Sequence, residues 1–226
     1  MKVFSVIPAW NEAGRIGEAV KDVQGAVDGV IVVDDGSLDA TGDAARAAGA
    51  TVLRHPVNRG QGAALKTGTE AAVRMGADIV VHVDADGQHE ASFIASLVEP
   101  IKEEKADVVF GSRFLDVTSH EMPMVRRMVL SAARLFNTFA IGIPSTVTDP
   151  QSGMRAFSRK AALRVDFHQD RMAHCSEILR LVTRSDMKWI EVPIRVRYTP
   201  ETLAKGQKSG DAFRIVWELF IGAFRR

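Results

Sequence analysis

Two carboxylates stand one residue apart in Asp84-Ala-Asp86, directly after the apolar run Ile79-Val-Val-His-Val83. Positions i and i+2 of an extended chain point the same way, so both carboxylates converge on one spot. Neighbouring anions repel unless a cation lies between them. A hard divalent ion is the natural occupant, held by a few protein oxygens and completed by a ligand's phosphates. The same residues, with Gly87, would also make an ordinary Asp-Gly turn in which an aspartate caps a helix.

Three other short segments repeat the pattern of an apolar run ending in polar residues: Pro8–Glu12, Asp34–Ser37 and Gly111–Arg113. Carboxylates such as Glu12, Asp34 and Asp35 suit base N–H and ribose hydroxyl donors. There is no G-x-G-x-x-G after the first apolar run and no G-x-x-x-x-G-K-[ST] anywhere in the chain, so two common phosphate cradles are excluded. Gly60-Gln-Gly62 reads as a tight turn opening a helix, with Lys66 one turn further on and able to reach a phosphate.

The elements that must position these residues alternate regularly. Strands are expected over Val3–Pro8, Val30–Val33, Thr51–Arg54, Ile79–Val83 and Val108–Gly111. Helices are expected over Gly14–Ala26, Asp39–Ala48, Ala63–Met75 and about Ser92–Lys105. Such β-α alternation predicts a mostly parallel, twisted sheet with right-handed crossovers and flanking helices. All four polar strand ends then fall on the carboxyl edge, where open α/β sheets bind ligands. After Arg113 the alternation stops. An apolar helix with arginines is expected over Met122–Ile143, a polar loop over Thr148–Phe157 running into a strand-like piece, and a helix near His174–Arg184. An edge strand marked by Pro193 is expected over Lys188–Tyr198, a lysine-bearing loop after it, and an aromatic helix over Ala212–Phe224.

With 226 residues, 46% of them hydrophobic and 25% charged, the chain can build one sizeable core. The expectation is a single domain over 1–226, with a nucleotide-binding half (1–113) and a second half (114–226). A net charge of +1 gives no general attraction to nucleic acid. One cysteine, Cys175, permits no intrachain disulfide, and Lys2–Pro8 reads as core rather than signal peptide, which points to the cytoplasm. No apolar run reaches the ~20 residues that span a bilayer.

Taken together, Ile7-Pro-Ala-Trp-Asn-Glu12, Val32-Val-Asp-Asp-Gly-Ser37, Asn58-Arg-Gly-Gln-Gly62 and Asp84-Ala-Asp-Gly-Gln88 resemble the successive signatures of the family-two glycosyltransferases, which have the GT-A fold. Asp149-Pro-Gln-Ser-Gly-Met-Arg155 and Glu191-Val-Pro-Ile194 resemble the branch that includes dolichyl- and polyprenyl-phosphate sugar transferases. The resemblance implies that Pro8, Trp10, Glu12, Val33 and Asp35 line the base and ribose of a UDP- or GDP-linked sugar. It implies that Asp84, Ala85 and Asp86 form the metal-binding Asp-x-Asp, with Gln88 an added ligand to Mg²⁺ or Mn²⁺. Arg113 would face the diphosphate or sugar, and Ser152 and Arg155 the transferred sugar and acceptor phosphate. Glu177 occupies the family's acidic position, and Lys205 and Lys208 fall in a loop that closes over the diphosphate in relatives.

The expected chemistry is an inverting displacement at the anomeric carbon, with the metal neutralising the departing diphosphate. A polyprenyl phosphate acceptor is already anionic, with a second pKa of about 6, and needs arginines rather than a strong base. Arg126, Arg127, Arg155, Arg195 and Arg197 are the candidates. A hydroxyl acceptor would instead need a base, for which Glu177 and Asp149 are candidates. A scaffold that binds a sugar nucleotide without turnover is the non-enzymatic alternative. The helices Met122–Ile143 and Phe213–Arg226 either pack on the sheet, form a homodimer interface, or rest on the inner face of the membrane.

Overall fold

The computed structural model describes residues 1–85, 92–115, 138 and 142–195. The strands among them are β1 (Val3–Ala9), β2 (Gly29–Asp34), β3 (Thr51–Arg54), β4 (Ile79–His82), β5 (Val108–Ser112), β6 (Arg155–Ser158) and β7 (Trp189–Pro193). The helices are α1 (Ile16–Gln24), α2 (Thr41–Ala47), α3 (Gln61–Arg74), α4 (Ser92–Lys102), α5 (Arg159–Arg164) and α6 (His174–Thr183). The seven strands form one sheet in the order β3-β2-β1-β4-β6-β5-β7.

Alternation along β1 explains the layering. Val3, Ile7 and Ala9 face a core built with Ile16, Val20 and Val23 of α1 and Ile94, Leu97 and Val98 of α4. Phe4 and Val6 face a second core with Ala64, Leu65 and Val73 of α3 and Ile178, Leu179 and Val182 of α6. Both faces of the sheet are therefore covered, which is why its strands are nearly continuous in Val and Ile. The mixed α/β sheet is the GT-A architecture expected from the resemblance.

Strand order reverses between β1 and β4, since β2 and β3 lie to one side and β4 to the other. At this switch point the sheet also opens. The β4–β1 pairing stops at His82↔Val6, with Val83 N–H donating to the Val6 carbonyl. Pro8 lies just beyond. The Ala9 carbonyl accepts from Asp35 N–H on the β2 side, so the nitrogen of Pro8, which carries no hydrogen, falls on the side where β4 has already ended. Proline is tolerated in a central strand because no ladder bond is lost.

The structure departs from the sequence expectation in four places. β6 runs antiparallel between β4 and β5, pairing His82↔Arg155 on one side and Phe110↔Arg155 on the other. A segment of the second half thus enters the sheet of the first, and α5 follows it. Helix α4 ends at Lys102 rather than Lys105: Glu104 takes φ 56°, and Glu104 and Lys105 N–H return to the carbonyls of Ile101 and Pro100, a Schellman ending. Helix α1 begins at Ile16 because the Glu12 carbonyl accepts from Arg15 and Ile16 in a preceding turn. β7 lies at the sheet edge, as expected, but ends at Pro193 rather than running on through Ile194 and Arg195. The expected helix over Ala212–Phe224 and most of that over Met122–Ile143 lie outside the described residues, and among the described residues no helix is long and apolar enough to cross a membrane.

Candidate active site

The carboxyl ends of the parallel strands β1, β2, β4 and β5 share one edge, and β6 begins there. Asp84 and Ala85 follow β4 directly. The Asp84 Oδ1 accepts from the Gln61 side-chain amide at 2.7 Å, the first residue of α3. Its other oxygen lies against the backbone of Gly153: a β-carbon there would sit 2.3 Å from Oδ2. Asp84 is therefore braced from α3 and from the loop before β6. Asp86 and Gln88 lie outside the described residues.

The loop at Ser152-Gly153 is held in turn by Arg155. This side chain is only 1% exposed, and its Nη2 donates to the Ser152 carbonyl at 2.7 Å. The Ser152 hydroxyl is buried without a hydrogen-bond partner among the described residues. Arg155 meets the Cys175 sulfur at 3.2 Å, and His174 Nε2 lies 3.5 Å from the same sulfur. His82, at the end of β4, bonds Thr69 Oγ1 at 2.8 Å through Nε2 and packs on Phe157. Burial first, then the charges of Arg155 and His174, hold its pKa well below the ordinary value of 6.5, so it stays a neutral sheet residue.

Arg113, just after β5, forms a two-point ion pair with Asp149: Nε to Oδ2 at 2.6 Å and Nη2 to Oδ1 at 2.7 Å. Its backbone N–H adds a third bond to Oδ2 at 3.1 Å. The pair is nearly buried, and its loop is capped by Glu191 of β7, whose carboxylate accepts from Thr148 N–H at 2.9 Å and Asp149 N–H at 3.1 Å. The chain Glu191–Asp149–Arg113 fixes an arginine at the end of β5. In sequence Asp149 is a base candidate and Glu191 a motif residue; their support of Arg113 depends on contacts across 36 and 42 positions of chain.

On the β1–β2 side the two loops are joined reciprocally. Asn11 N–H donates to Ser37 Oγ at 2.9 Å, and Leu38 N–H to Asn11 Oδ1 at 2.9 Å. Asn11 adopts φ 53°, and beside it Trp10 is 52% exposed. Glu12 N–H is taken by Thr41 Oγ1 at 2.8 Å. The side chain of Val33 is fully buried in the core. The Asp35 carboxylate serves the protein itself: it bonds His55 Nδ1 at 2.6 Å, Arg59 N–H at 3.0 Å and Gly60 N–H at 2.6 Å. His55, which the sequence did not single out, continues to Thr67 Oγ1 at 3.0 Å. Asp35 therefore orders the Asn58–Gly60 turn.

That turn is no phosphate cradle. The Gly62 and Ala63 N–H groups at the start of α3 both donate to the Asp170 carbonyl, at 2.8 and 3.2 Å. Gly60, at φ 115°, and Gly62 admit this close approach; a β-carbon on Gly62 would lie 2.1 Å from the Gln169 carbonyl. The 168–170 loop is itself held by Glu177, whose Oε2 accepts from His168 and Gln169 N–H at 3.0 and 2.8 Å. Lys66 gives its ammonium to Asp166 at 2.5 Å, holding that carboxyl below its usual range. Arg127 and Lys208 lie outside the described residues.

A model of the family described as Glycosyl transferase family 2 matches residues 5–165. The chain is 33% identical over 240 residues to the UDP-N-acetylglucosamine–dolichyl-phosphate N-acetylglucosaminyltransferase of Methanococcus voltae, covering 97% of this chain and 95% of that one. It is 32% identical over 181 residues to an undecaprenyl-phosphate mannosyltransferase of Micrococcus luteus, covering 74% and 70%. Among solved structures, glucosyl-3-phosphoglycerate synthase from Mycobacterium tuberculosis in complex with Mn²⁺, UDP and glucosyl-3-phosphoglycerate superposes with a TM-score of 0.66 at 25% identity, covering 90% of this chain and 75% of that one.

Proposed function

Because the chain belongs to glycosyl transferase family 2, and is thus a glycosyltransferase, we propose that it transfers a sugar from a UDP- or GDP-linked donor to a polyprenyl phosphate. The observation that carries the acceptor is the engagement of both candidate bases. Both oxygens of Asp149 are taken by Arg113, and Glu177 Oε2 by two backbone N–H groups. A hydroxyl acceptor would need such a base. A phosphate monoester, with its second pKa of about 6, attacks as an anion without one. The relatives named for dolichyl and undecaprenyl phosphate point the same way.

The described part of the site fits a divalent cation. Asp84 offers hard oxygen at the carboxyl edge, and its direction is set by Gln61 and the Gly153 backbone. The orphaned Ser152 hydroxyl beside that turn adds a buried polar atom that a bound ligand would satisfy. Asp84, Asp86 and Gln88 would hold Mg²⁺ or Mn²⁺. When bound, such an ion neutralises the charge that develops on a departing nucleoside diphosphate.

The protein's own residues do the rest. Pro8, Trp10, Glu12, Val33 and Asp35 belong to the ends of β1 and β2 and the two loops after them, which would receive base and ribose. For Asp35 the contribution is to hold the Asn58–Gly60 turn, and for Val33 the backbone alone. Arg113, kept in one orientation by Asp149, would meet the diphosphate or the transferred sugar. Ser152 lies on the turn that Arg155 holds, so Arg155 would act from behind the reacting groups. Arg127 and Lys208 would bind acceptor and diphosphate. Direct in-line attack by the acceptor oxygen would invert the anomeric centre. The enzyme would act at the inner face of the membrane; flotation with anionic liposomes tests this, and no association would refute it.

Thermal shift with a panel of sugar nucleotides in Mn²⁺ tests the donor. A matched donor raises the melting temperature by mass action. If neither UDP- nor GDP-sugars do so, the donor assignment fails.

A further inference from the structure

Arg155 poses an electrostatic problem. An arginine does not deprotonate in proteins, and a buried charge left uncompensated is strongly destabilising. This one is 1% exposed. Its polar partners among the described residues are the carbonyls of Ser152 and Gly153 and the sulfur of Cys175; no carboxylate is among them. Two carbonyl dipoles solvate a guanidinium but bring no net charge.

Cys175 is the chain's one cysteine and is 4% exposed. It stands in the first turn of α6, 3.2 Å from Arg155 Nη2 and 3.5 Å from His174 Nε2. Burial pushes the thiol up, but the influence of His174 and Arg155 outweighs it and brings the group down to about 6. The other ionisable groups coupled to this cluster are His82, which is neutral, and Asp84 beyond the Gly153 backbone.

We propose that Cys175 is the counter-ion of Arg155: a buried thiolate, held by the guanidinium, that keeps Arg155 behind the Ser152-Gly153 turn and so fixes the wall on which Asp84 leans. In Born terms a large sulfur anion costs less to desolvate than a carboxylate, which suits a site closed to water. Cys175 is a positioning residue, since it acts through Arg155 and touches no reacting atom. The consequence for turnover rests on Asp84 serving the sugar-transfer site; the charge state of Cys175 does not.

With one cysteine, the thiolate's far-ultraviolet absorbance can be titrated in the full-length protein against Cys175→Ser as blank. The expected midpoint is about 6, rising by about one unit or more in Arg155→Gln. A wild-type midpoint in the ordinary range of about 8.5 overturns the proposal, and this result does not need the Arg155 variant to fold. Unchanged titration in a folded Arg155→Gln protein overturns the pairing. Cys175→Ser keeps the size without the charge, and sugar transfer should fall by about tenfold. Full transfer by that variant, beside a confirmed thiolate, would overturn the positioning role alone. The titration reads independently of any donor or acceptor, so its failure is distinct from failure of the proposed reaction.

Discussion

The Asp84 carboxylate and the Gly153 backbone are in such contact that a β-carbon on residue 153 would lie 2.3 Å from Oδ2. Nothing larger than glycine fits without moving the carboxylate. Gly153→Ala should therefore swing Asp84 away from its set direction. The expected outcome is a fall of about tenfold or more in sugar transfer and a weaker response to Mn²⁺, since a misplacement near 1 Å is costly for catalysis. Titration calorimetry with Mn²⁺, beside transfer kinetics, checks it. Unaltered metal binding would show that Asp84 has room to move.

The Arg113–Asp149 pair is nearly buried and uses both carboxylate oxygens. Asp149→Asn leaves the guanidinium without its anion. A loss of about 3 kcal/mol in folding stability is expected, because breaking a buried pair strands a charge. Glu191→Gln keeps one acceptor for the Thr148 and Asp149 N–H groups and should cost about 1 kcal/mol. Urea denaturation of both variants tests the order, which is the informative quantity.

Gly62 admits the Asp170 carbonyl to the first turn of α3, and a β-carbon there would meet the Gln169 carbonyl at 2.1 Å. Backbone, unlike a flexible side chain, cannot step aside cheaply. Gly62→Ala should destabilise the protein by about 2 kcal/mol. It should also loosen Gln61, and with it the amide that holds Asp84. Denaturation together with transfer kinetics measures both effects.

Two groups make stability depend on pH in separate windows. His82 is held well below 6.5 in the fold, so the unfolded chain binds a proton that the native state refuses. Its contribution is present above 6.5 and is lost as pH falls beneath that value. Cys175 is lowered from 9.0 to about 6. Its contribution is complete above 9.0 and is lost as pH falls toward about 6. His82→Gln should flatten the acid limb of the metal-free protein, and Cys175→Ser the slope on the alkaline side. Denaturation series across both ranges separate them.

The sequence made some of this legible and not the rest. Apolar runs such as Val30–Val33 and Ile79–Val81 need burial on both faces, and so declare a covered parallel sheet. Their polar ends declare the ligand edge. The strand-like piece at the end of Thr148–Phe157 is β6, but its antiparallel place between β4 and β5 stayed hidden, because local periodicity does not record which strands a four-residue piece pairs with. Asp35 is of a type that suits a ligand group. Its carboxylate instead meets His55 and two backbone N–H groups, through contacts 20 to 25 residues away. Gln61 and Gly153 escaped for the same reason. Each matters through what another loop brings to it, and no spacing along the chain records that.

The central claim is transfer to a lipid phosphate. The most direct measurement incubates the full chain with a labelled UDP- or GDP-sugar, polyprenyl phosphate and Mn²⁺ or Mg²⁺, then extracts the lipid phase. Expected is a labelled polyprenyl-phosphate sugar that is lost on chelation and in Asp84→Asn. Label that passes to a saccharide or to water but never to the lipid, with any donor in the panel, contradicts the assignment.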